Sequence, residues 1–256
     1  MFKIATWNVN SLRVRLPHVL KWLEAERPDV LAVQETKLVD ADFPHAAFAE
    51  LGYRAAVSGQ KTYNGVALIS RAPAGEIVQA LPSYPDPQRR ILKAGIAGLT
   101  ILNLYVPNGS EVGSEKYAYK LEWLGHLQRY VRELLQADTR LIVLGDLNIA
   151  PEEADVHDPA LWEGQVLFSG PERAEFRKLI GSGLTDCFRL FPQPEASFTW
   201  WDYRAAGFRR NLGLRIDHIL AGPGLAPSCR TCRIDKAPRT WERPSDHAPV
   251  ISEFEL

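Results

Sequence analysis

Apolar residues fall along this chain in two rhythms. Short unbroken runs alternate with stretches spaced three and four residues apart. Phe2 to Trp7 is a short apolar-rich strand. Leu16, Val19, Leu20 and Leu23 follow at helical spacing, with Pro17 placed to suit a first turn. Pro28 closes that helix, and Asp29–Thr36 (DVLAVQET) predicts a buried strand. Phe43–Leu51 predicts a short helix stopped at Gly52. Four β segments are expected at Tyr53–Ser58, Val66–Ser70, Ile91–Ile96 and Leu99–Val106. Tyr117, Leu121, Leu124, Val131, Leu134 and Leu135 mark a long amphipathic helix. Arg140–Gly145 (RLIVLG) predicts another buried strand that ends at Asp146. A helix over Glu172–Ile180 and strands at Leu214–Ala221, Cys229–Asp235 and Val250–Phe254 complete the pattern. Helices and strands alternate with hairpin-like β stretches mixed in, which predicts mixed sheets covered by helices. No linker-like stretch and no repeat divides the chain, so a single domain over 1–256 is expected.

Composition narrows the class. With 256 residues, 46% of them hydrophobic, the chain can bury a sizeable core, which excludes disorder. No apolar window approaches the ~20 residues of a membrane span. Met1 to Asn10 has no apolar leader core, so no secretory signal is expected. Three cysteines, an odd number, fit a reducing compartment, and the expected location is the cytoplasm. Cys229 and Cys232 form a C-x-x-C without a second pair, so they are expected as small strand-end residues rather than a zinc site. The net charge of −1 gives no global attraction to a polyanion. A nucleic-acid partner would need a local basic face. Arg13 with Arg15, Arg89 with Arg90, and Arg204 with Arg209 and Arg210 are candidates, though each cluster alone reads as solvated surface.

Candidate chemistry lies where strands are expected to end. Four segments run from apolar residues into acids and amides: Trp7-Asn8-Val9-Asn10, Gln34-Glu35-Thr36, Gly145-Asp146-Leu147-Asn148 and Ile216-Asp217-His218. A fifth, Ser245-Asp246-His247, precedes the final strand. Strand ends in α/β folds converge on one crevice. In an extended backbone, residues two apart such as Asp146 and Asn148 share a face. If the five segments meet, four carboxylates crowd together and need a cation or a proton. Oxygen-rich donors suit Mg²⁺ or Mn²⁺, and a hard cation beside a histidine fits water attack on a phosphate ester. Any one Asp-x-Asn also reads as an ordinary turn; the joint occurrence of five segments carries the argument. No G-x-S-x-G elbow is present, which disfavours serine-hydrolase chemistry.

The segments WNVNSLR, VQETK, NGVALIS, NLYVPNG, LGDLNIAP, FTWWDYR, GLRIDHIL and PSDHAPV, in this order and across essentially the whole chain, resemble the exonuclease III / apurinic-apyrimidinic endonuclease family. The resemblance implies a four-layer α/β sandwich, two packed mixed β-sheets flanked by helices. It implies a Mg²⁺-dependent DNA-repair nuclease, with Mn²⁺ as a substitute ion. Such an enzyme cuts 5′ to abasic sites, degrades duplex DNA from 3′ ends and removes 3′ blocking groups. It further implies Glu35, Asn8 and Asp246 as metal residues, Asp146 as base for the attacking water, and Asn148 as a phosphate donor that steadies Asp146. His247 would donate to phosphate oxygens and Asp217 would orient it. Tyr105 would reach the phosphate or help neutralise it. Asn108, Asn10, Arg89 and Arg90 would touch the DNA backbone, with Lys61 and Tyr63 on nearby loops. Trp200, Leu214 and Ile216 match the family's apolar pocket for a base-less sugar, while Trp201 is expected to be packing. Double-stranded and damaged DNA are the implied partners, the chain acting as a monomer away from membranes.

Two positions depart from the eukaryotic pattern. No Arg stands in Gly109–Gly113, and Asn10 replaces an Asp. The loop Val166–Gly170 differs among family members and bears on the balance of activities. Two alternatives stay open at this level: a superfamily phosphatase or phosphodiesterase on a non-DNA substrate, and a catalytically inactive DNA-binding module.

Overall fold

Two six-stranded sheets are each built round one parallel pair. The computed structural model describes every residue, Met1 to Leu256. In chain order the elements are β1 (Phe2–Asn8), α1 (Leu12–Glu26), β2 (Val30–Gln34), α2 (His45–Glu50), β3 (Arg54–Ser58), β4 (Val66–Ser70), β5 (Gly75–Val78), β6 (Ile91–Ile96), β7 (Leu99–Tyr105), α3 (Glu115–Ala137), β8 (Leu141–Asp146), α4 (Pro159–Trp162), α5 (Gly170–Gly181), β9 (Thr185–Asp186), β10 (Trp200–Trp201), β11 (Gly213–Leu214), β12 (Asp217–Ala221), β13 (Cys229–Ile234) and β14 (Val250–Phe254). The first sheet runs β13-β14-β1-β2-β4-β3 and the second β5-β6-β7-β8-β12-β9. β1 lies parallel to β2, across α1, and β7 parallel to β8, across α3. The flanking pairings within each sheet are antiparallel.

The unbroken apolar runs of β2, β4 and β8 are explained by burial on both faces. On the inner face, Ile4, Val30, Ala32, Val66 and Leu68 meet Leu92, Ile101, Ile142, Leu144 and Ile219 of the second sheet. On the outer face, Ala5, Trp7, Leu31 and Val33 pack on Val19, Trp22 and Leu23 of α1 and Phe48 of α2. Leu102, Leu104, Leu141 and Val143 likewise pack on Trp123, Leu127 and Val131 of α3 and Phe176 and Leu179 of α5. The arrangement is four layers, as expected. One polar joint crosses the inter-sheet layer: Gln34 Nε2 donates to Asn103 Oδ1 (2.7 Å), and Asn103 Nδ2 donates to the Ala67 carbonyl (2.9 Å).

Three local expectations are corrected. Helix α1 starts at Leu12, where the Ser11 carbonyl accepts from the Arg15 amide. Pro17 therefore lies inside the helix, not in its first turn. The segment Leu214–Ala221 is two strands, β11 and β12, broken where Arg215 is drawn into a buried ion cluster with Asp155 (2.6 Å) and Asp186 (2.8 Å). Cys229 opens β13, at a strand end as expected, but Cys232 lies within the strand, and both pack into the inter-sheet core with Cys187.

Candidate active site

The carboxyl ends of the two parallel pairs face one another across the sandwich. Asn8 closes β1, Glu35 follows β2, Tyr105 closes β7 and Asp146 closes β8. Asn8 Nδ2 bridges the two sheets, donating to Glu35 Oε1 and Asp146 Oδ2, both at 2.9 Å. Asp217, expected at the end of a strand, instead opens β12. Because β12 runs antiparallel to β8, its first residue stands opposite Asp146 in register. His247 arrives from the stretch before β14, whose partner is β1.

Gly145 makes the approach to Asp146 possible. Its φ is +138°, and a Cβ there would lie 2.0 Å from the Leu104 carbonyl oxygen across the parallel pair. Asn148 shares the site with Asp146 for a different reason from extended alternation. It takes a left-handed conformation (φ 50°), and its amide donates to Asp146 Oδ1 at 2.9 Å, closing a side-chain-capped turn. Asn148 Nδ2 donates to the Val106 carbonyl (2.9 Å), and Asn108 Nδ2 donates to Asn148 Oδ1 (3.2 Å). Each amide nitrogen keeps one further N–H.

His247 stands between two carboxylates. Its Nδ1 donates to Asp217 Oδ2 at 2.9 Å, and its Nε2 faces Asp146 Oδ2 across 3.8 Å, too far for a direct hydrogen bond. Burial alone would lower the imidazole, but Asp217 and Asp146 outweigh it and lift His247 to about 10. The ring is therefore a cation at neutral pH. Burial pushes Asp146 above the usual carboxylate range, with Asp217 and Glu35 adding to the rise and His247 and the Asn8 amide opposing it. Burial also raises the Tyr105 hydroxyl well above its ordinary value, reinforced by the Glu35 and Asp146 charges, so it remains an O–H donor. The other histidine of the RIDH segment, His218, is different. Burial and Arg215 lower it to about 4. As neutral imidazole it accepts from Arg215 at Nδ1 (3.1 Å) and donates Nε2–H to the Ile149 carbonyl (2.9 Å).

A second chain of contacts runs along the acidic rim. Lys37 Nζ pairs with Glu35 Oε2 (2.9 Å) and donates to Asn10 Oδ1 (2.6 Å). Asn10 Nδ2 donates to Asp246 Oδ1 (3.0 Å), and Trp200 Nε1 donates to Asp246 Oδ2 (3.0 Å). The expected backbone-contact residue Asn10 is thus engaged within the rim. The donor set fits a divalent metal. Carboxylate oxygens of Asp146 and Asp217 lie within 4.8 Å of each other beside the His247 imidazolium. Glu35 adds a hard carboxylate beside them, while Asn8 turns its Nδ2 to the carboxylates and its Oδ1 accepts from the Asn10 amide (3.0 Å); the Lys37 ammonium on Glu35 shows that this spot already draws a cation.

Trp200, Leu214 and Ile216 come together as expected. Trp200 pairs with Leu214 across β10 and β11 and with His247 on its other side. They share an apolar cluster with Val156, Leu167 and Phe168, bordered by Trp162. Trp201 is buried in separate packing with Phe198 and Ala248. On the opposite flank lies a polar cavity of about 430 Å³ that includes Tyr105, Asn108, Arg90 and Lys116. The Arg90 guanidinium lies 4.8 Å from the Tyr105 ring centre and donates to the Tyr105 carbonyl (3.2 Å). Arg89 is exposed. Sequence reasoning missed Lys37, Trp162 and Arg215. Lys37 sits inside the quoted VQETK segment, but its partners are set by a turn; Trp162 closes α4, whose four residues are too short for a period to register.

Comparison with known proteins bears on this geometry. A model of the Endonuclease/Exonuclease/phosphatase family matches residues 5–247. The chain is 37% identical over 266 residues to exodeoxyribonuclease III of Haemophilus influenzae, covering 98% of this chain and 99% of that protein. A 3′ phosphatase from Neisseria, solved in an aspartate-to-asparagine form with product DNA hairpin, superposes with a TM-score of 0.98 at 46% identity, each chain covered fully. An AP endonuclease from Archaeoglobus fulgidus superposes with a TM-score of 0.96 at 41% identity, again over the whole of both chains.

Proposed function

The chain belongs to the Endonuclease/Exonuclease/phosphatase family, and from that premise we propose that it is a Mg²⁺-dependent DNA-repair nuclease. It hydrolyses phosphodiesters at 3′ ends of duplex DNA, incises 5′ to abasic sites and removes 3′ blocking groups. One observation carries the reading: the line Asp217–His247–Asp146, joined through Asn8 to Glu35 across the two sheets.

In this reading Asp146 takes the proton of the attacking water. Its raised proton affinity suits a base near neutral pH. Asn148 and Asn108 offer their free N–H groups to a non-bridging phosphate oxygen, and the His247 imidazolium adds a third, charged donor. One well-placed donor of this kind is worth roughly 2.7–4 kcal/mol at the transition state. Asp217 fixes the tautomer and plane of His247, an orienting role like that in a catalytic triad. The Tyr105 hydroxyl donates toward the same oxygens. Glu35 and Asp246 would hold the ion, joined by Asn8 once its amide turns its oxygen toward it, and the bound ion would neutralise phosphate charge. Trp200, Leu214 and Ile216 receive a base-less sugar, whose extrusion avoids the stacking cost of an intact nucleotide, a few kcal/mol. Arg89 and Arg90 position the backbone without reading sequence.

The test uses two labelled duplexes, one with a single abasic analogue and one with a recessed 3′ end, with product lengths read on a gel. Cleavage of both with Mg²⁺, its loss in chelator and its return on adding Mg²⁺ are expected. No cleavage with Mg²⁺ overturns the nuclease, and cleavage persisting in chelator removes the metal.

A further inference from the structure

Behind the phosphate-facing amides lies a buried ion pair that the chemistry above leaves without a task. Lys120 of α3 and Glu172 of α5 are both fully buried and pair directly. The ammonium has three N–H donors, and each has one partner: Glu172 Oε1, the Asn148 carbonyl (2.6 Å) and the Asn108 carbonyl (3.1 Å). Glu172 is equally saturated. It accepts from the Leu167 amide (3.0 Å), the Ser169 amide (3.1 Å) and the Ser169 hydroxyl (2.5 Å). Tyr117 in turn donates to that hydroxyl (2.6 Å).

Stability alone is a poor reason for such a pair. Burying two charges costs desolvation that the mutual attraction repays only in part, and apolar replacements of similar volume are often neutral or stabilising. What the pair does hold is position. Asn108 leaves β7 and Asn148 leaves β8, on separate loops, and Asn148 is held in a left-handed conformation. The Lys120 ammonium fixes both carbonyls to one point, 3.1 and 2.6 Å away, and Glu172 anchors that point to the first turn of α5.

Resting on the nuclease reading, we propose that Lys120 is a positioning residue. It sets the separation and aim of the Asn108 and Asn148 side-chain amides, without touching substrate. Loss of this anchor misplaces two donors at once, and a displacement of about 1 Å costs on the order of 10²-fold in rate.

The experiment compares Lys120→Met in two backgrounds, wild type and Asn108→Ala/Asn148→Ala. In the wild-type background kcat is expected to fall on the order of 10²-fold, with the dissociation constant for duplex in chelator unchanged. In the background lacking both amides, Lys120→Met is expected to cost nothing further. A similar loss in both backgrounds, or an unaltered kcat, overturns the proposal. If Lys120→Met does not fold, Lys120→Met/Glu172→Gln, which removes both charges, replaces it under the same two outcomes. Amide hydrogen exchange supplies a readout that needs no activity. Faster exchange confined to the loops after β7 and β8 supports the anchor, and unchanged exchange there counts against it. Wild-type cleavage run beside the variants tests the nuclease reading separately.

Discussion

His247 and His218 stand near the same strand end and do opposite things because of their neighbours. His218 meets the Arg215 cation and is held neutral; His247 meets two carboxylates and is held charged. The pH dependence follows from the sign. The His247 value is raised from 6.5 to about 10, so its contribution to stability is complete below pH 6.5, declines as pH rises, and is gone above about 10. Asp217→Asn removes the principal partner. The melting-temperature gap between wild type and Asp217→Asn should be widest at pH 6 and close toward pH 10, as read by scanning calorimetry; a gap that widens with pH contradicts the assignment. Asp146→Asn keeps size and most hydrogen bonds but removes the basic oxygen. It should bind duplex DNA as wild type does while kcat falls by roughly 10²–10⁴-fold, measured by filter binding beside single-turnover cleavage. At this scale the sequence was readable where polar residues cluster in short motifs, as at Asp146, Asp217 and His247, which the structure brings together. Lys120 was hidden because nothing adjacent in the chain marks its partner, Glu172 being 52 residues away, and Lys37 because only the turn after β2 brings it onto Glu35 and Asn10.

Strands long enough to show an apolar run were legible, and those of two to four residues were not. β5 is largely exposed, and β9, β10 and β11 have two residues each, too short for any period to register. The break between β11 and β12 was invisible because the partners that draw Arg215 in, Asp155 and the β9 residue Asp186, lie far from it in the chain. Gly145 sets the opposite kind of rule, a position where the backbone needs the absence of a side chain. Gly145→Ala must relieve a 2.0 Å clash with the Leu104 carbonyl and adopt a φ of +138°. The conformational part alone costs about 1–3 kcal/mol, and the clash adds to it. Urea unfolding should show a loss of at least this size, whereas Gly164→Ala, with φ +75° but open space around it, should lose less.

For the molecule as a whole, a net charge of −1 leaves DNA attraction to local charge. Arg89 is exposed, and Arg90 and Lys116 border the polar cavity beside Tyr105. Each cation that neutralises a phosphate contributes about 0.9 to the slope of log affinity against log salt. Arg89→Ala should therefore reduce that slope by about 0.9 while leaving kcat alone, measured by fluorescence anisotropy across a salt series. An identical slope removes Arg89 from the interface. The four-layer arrangement was legible from the resemblance of motifs, and the burial of both sheets on both faces agrees with the unbroken apolar runs. The joint between the sheets was not legible, because Gln34 and Asn103 read as ordinary polar residues in apolar strands.

That joint has a consequence for how the halves of the centre stay aligned. Dispersion and hydrophobic attraction are non-directional, so oily layers resist separation far more than lateral slip. Asn8 and Glu35 ride on one slab, Tyr105, Asp146 and Asp217 on the other. The Gln34–Asn103 amide pair, one residue below Glu35 and two below Tyr105, works as a dowel that keys the slabs against sliding. The working geometry is thereby pinned from beneath, at a point no nucleotide reaches.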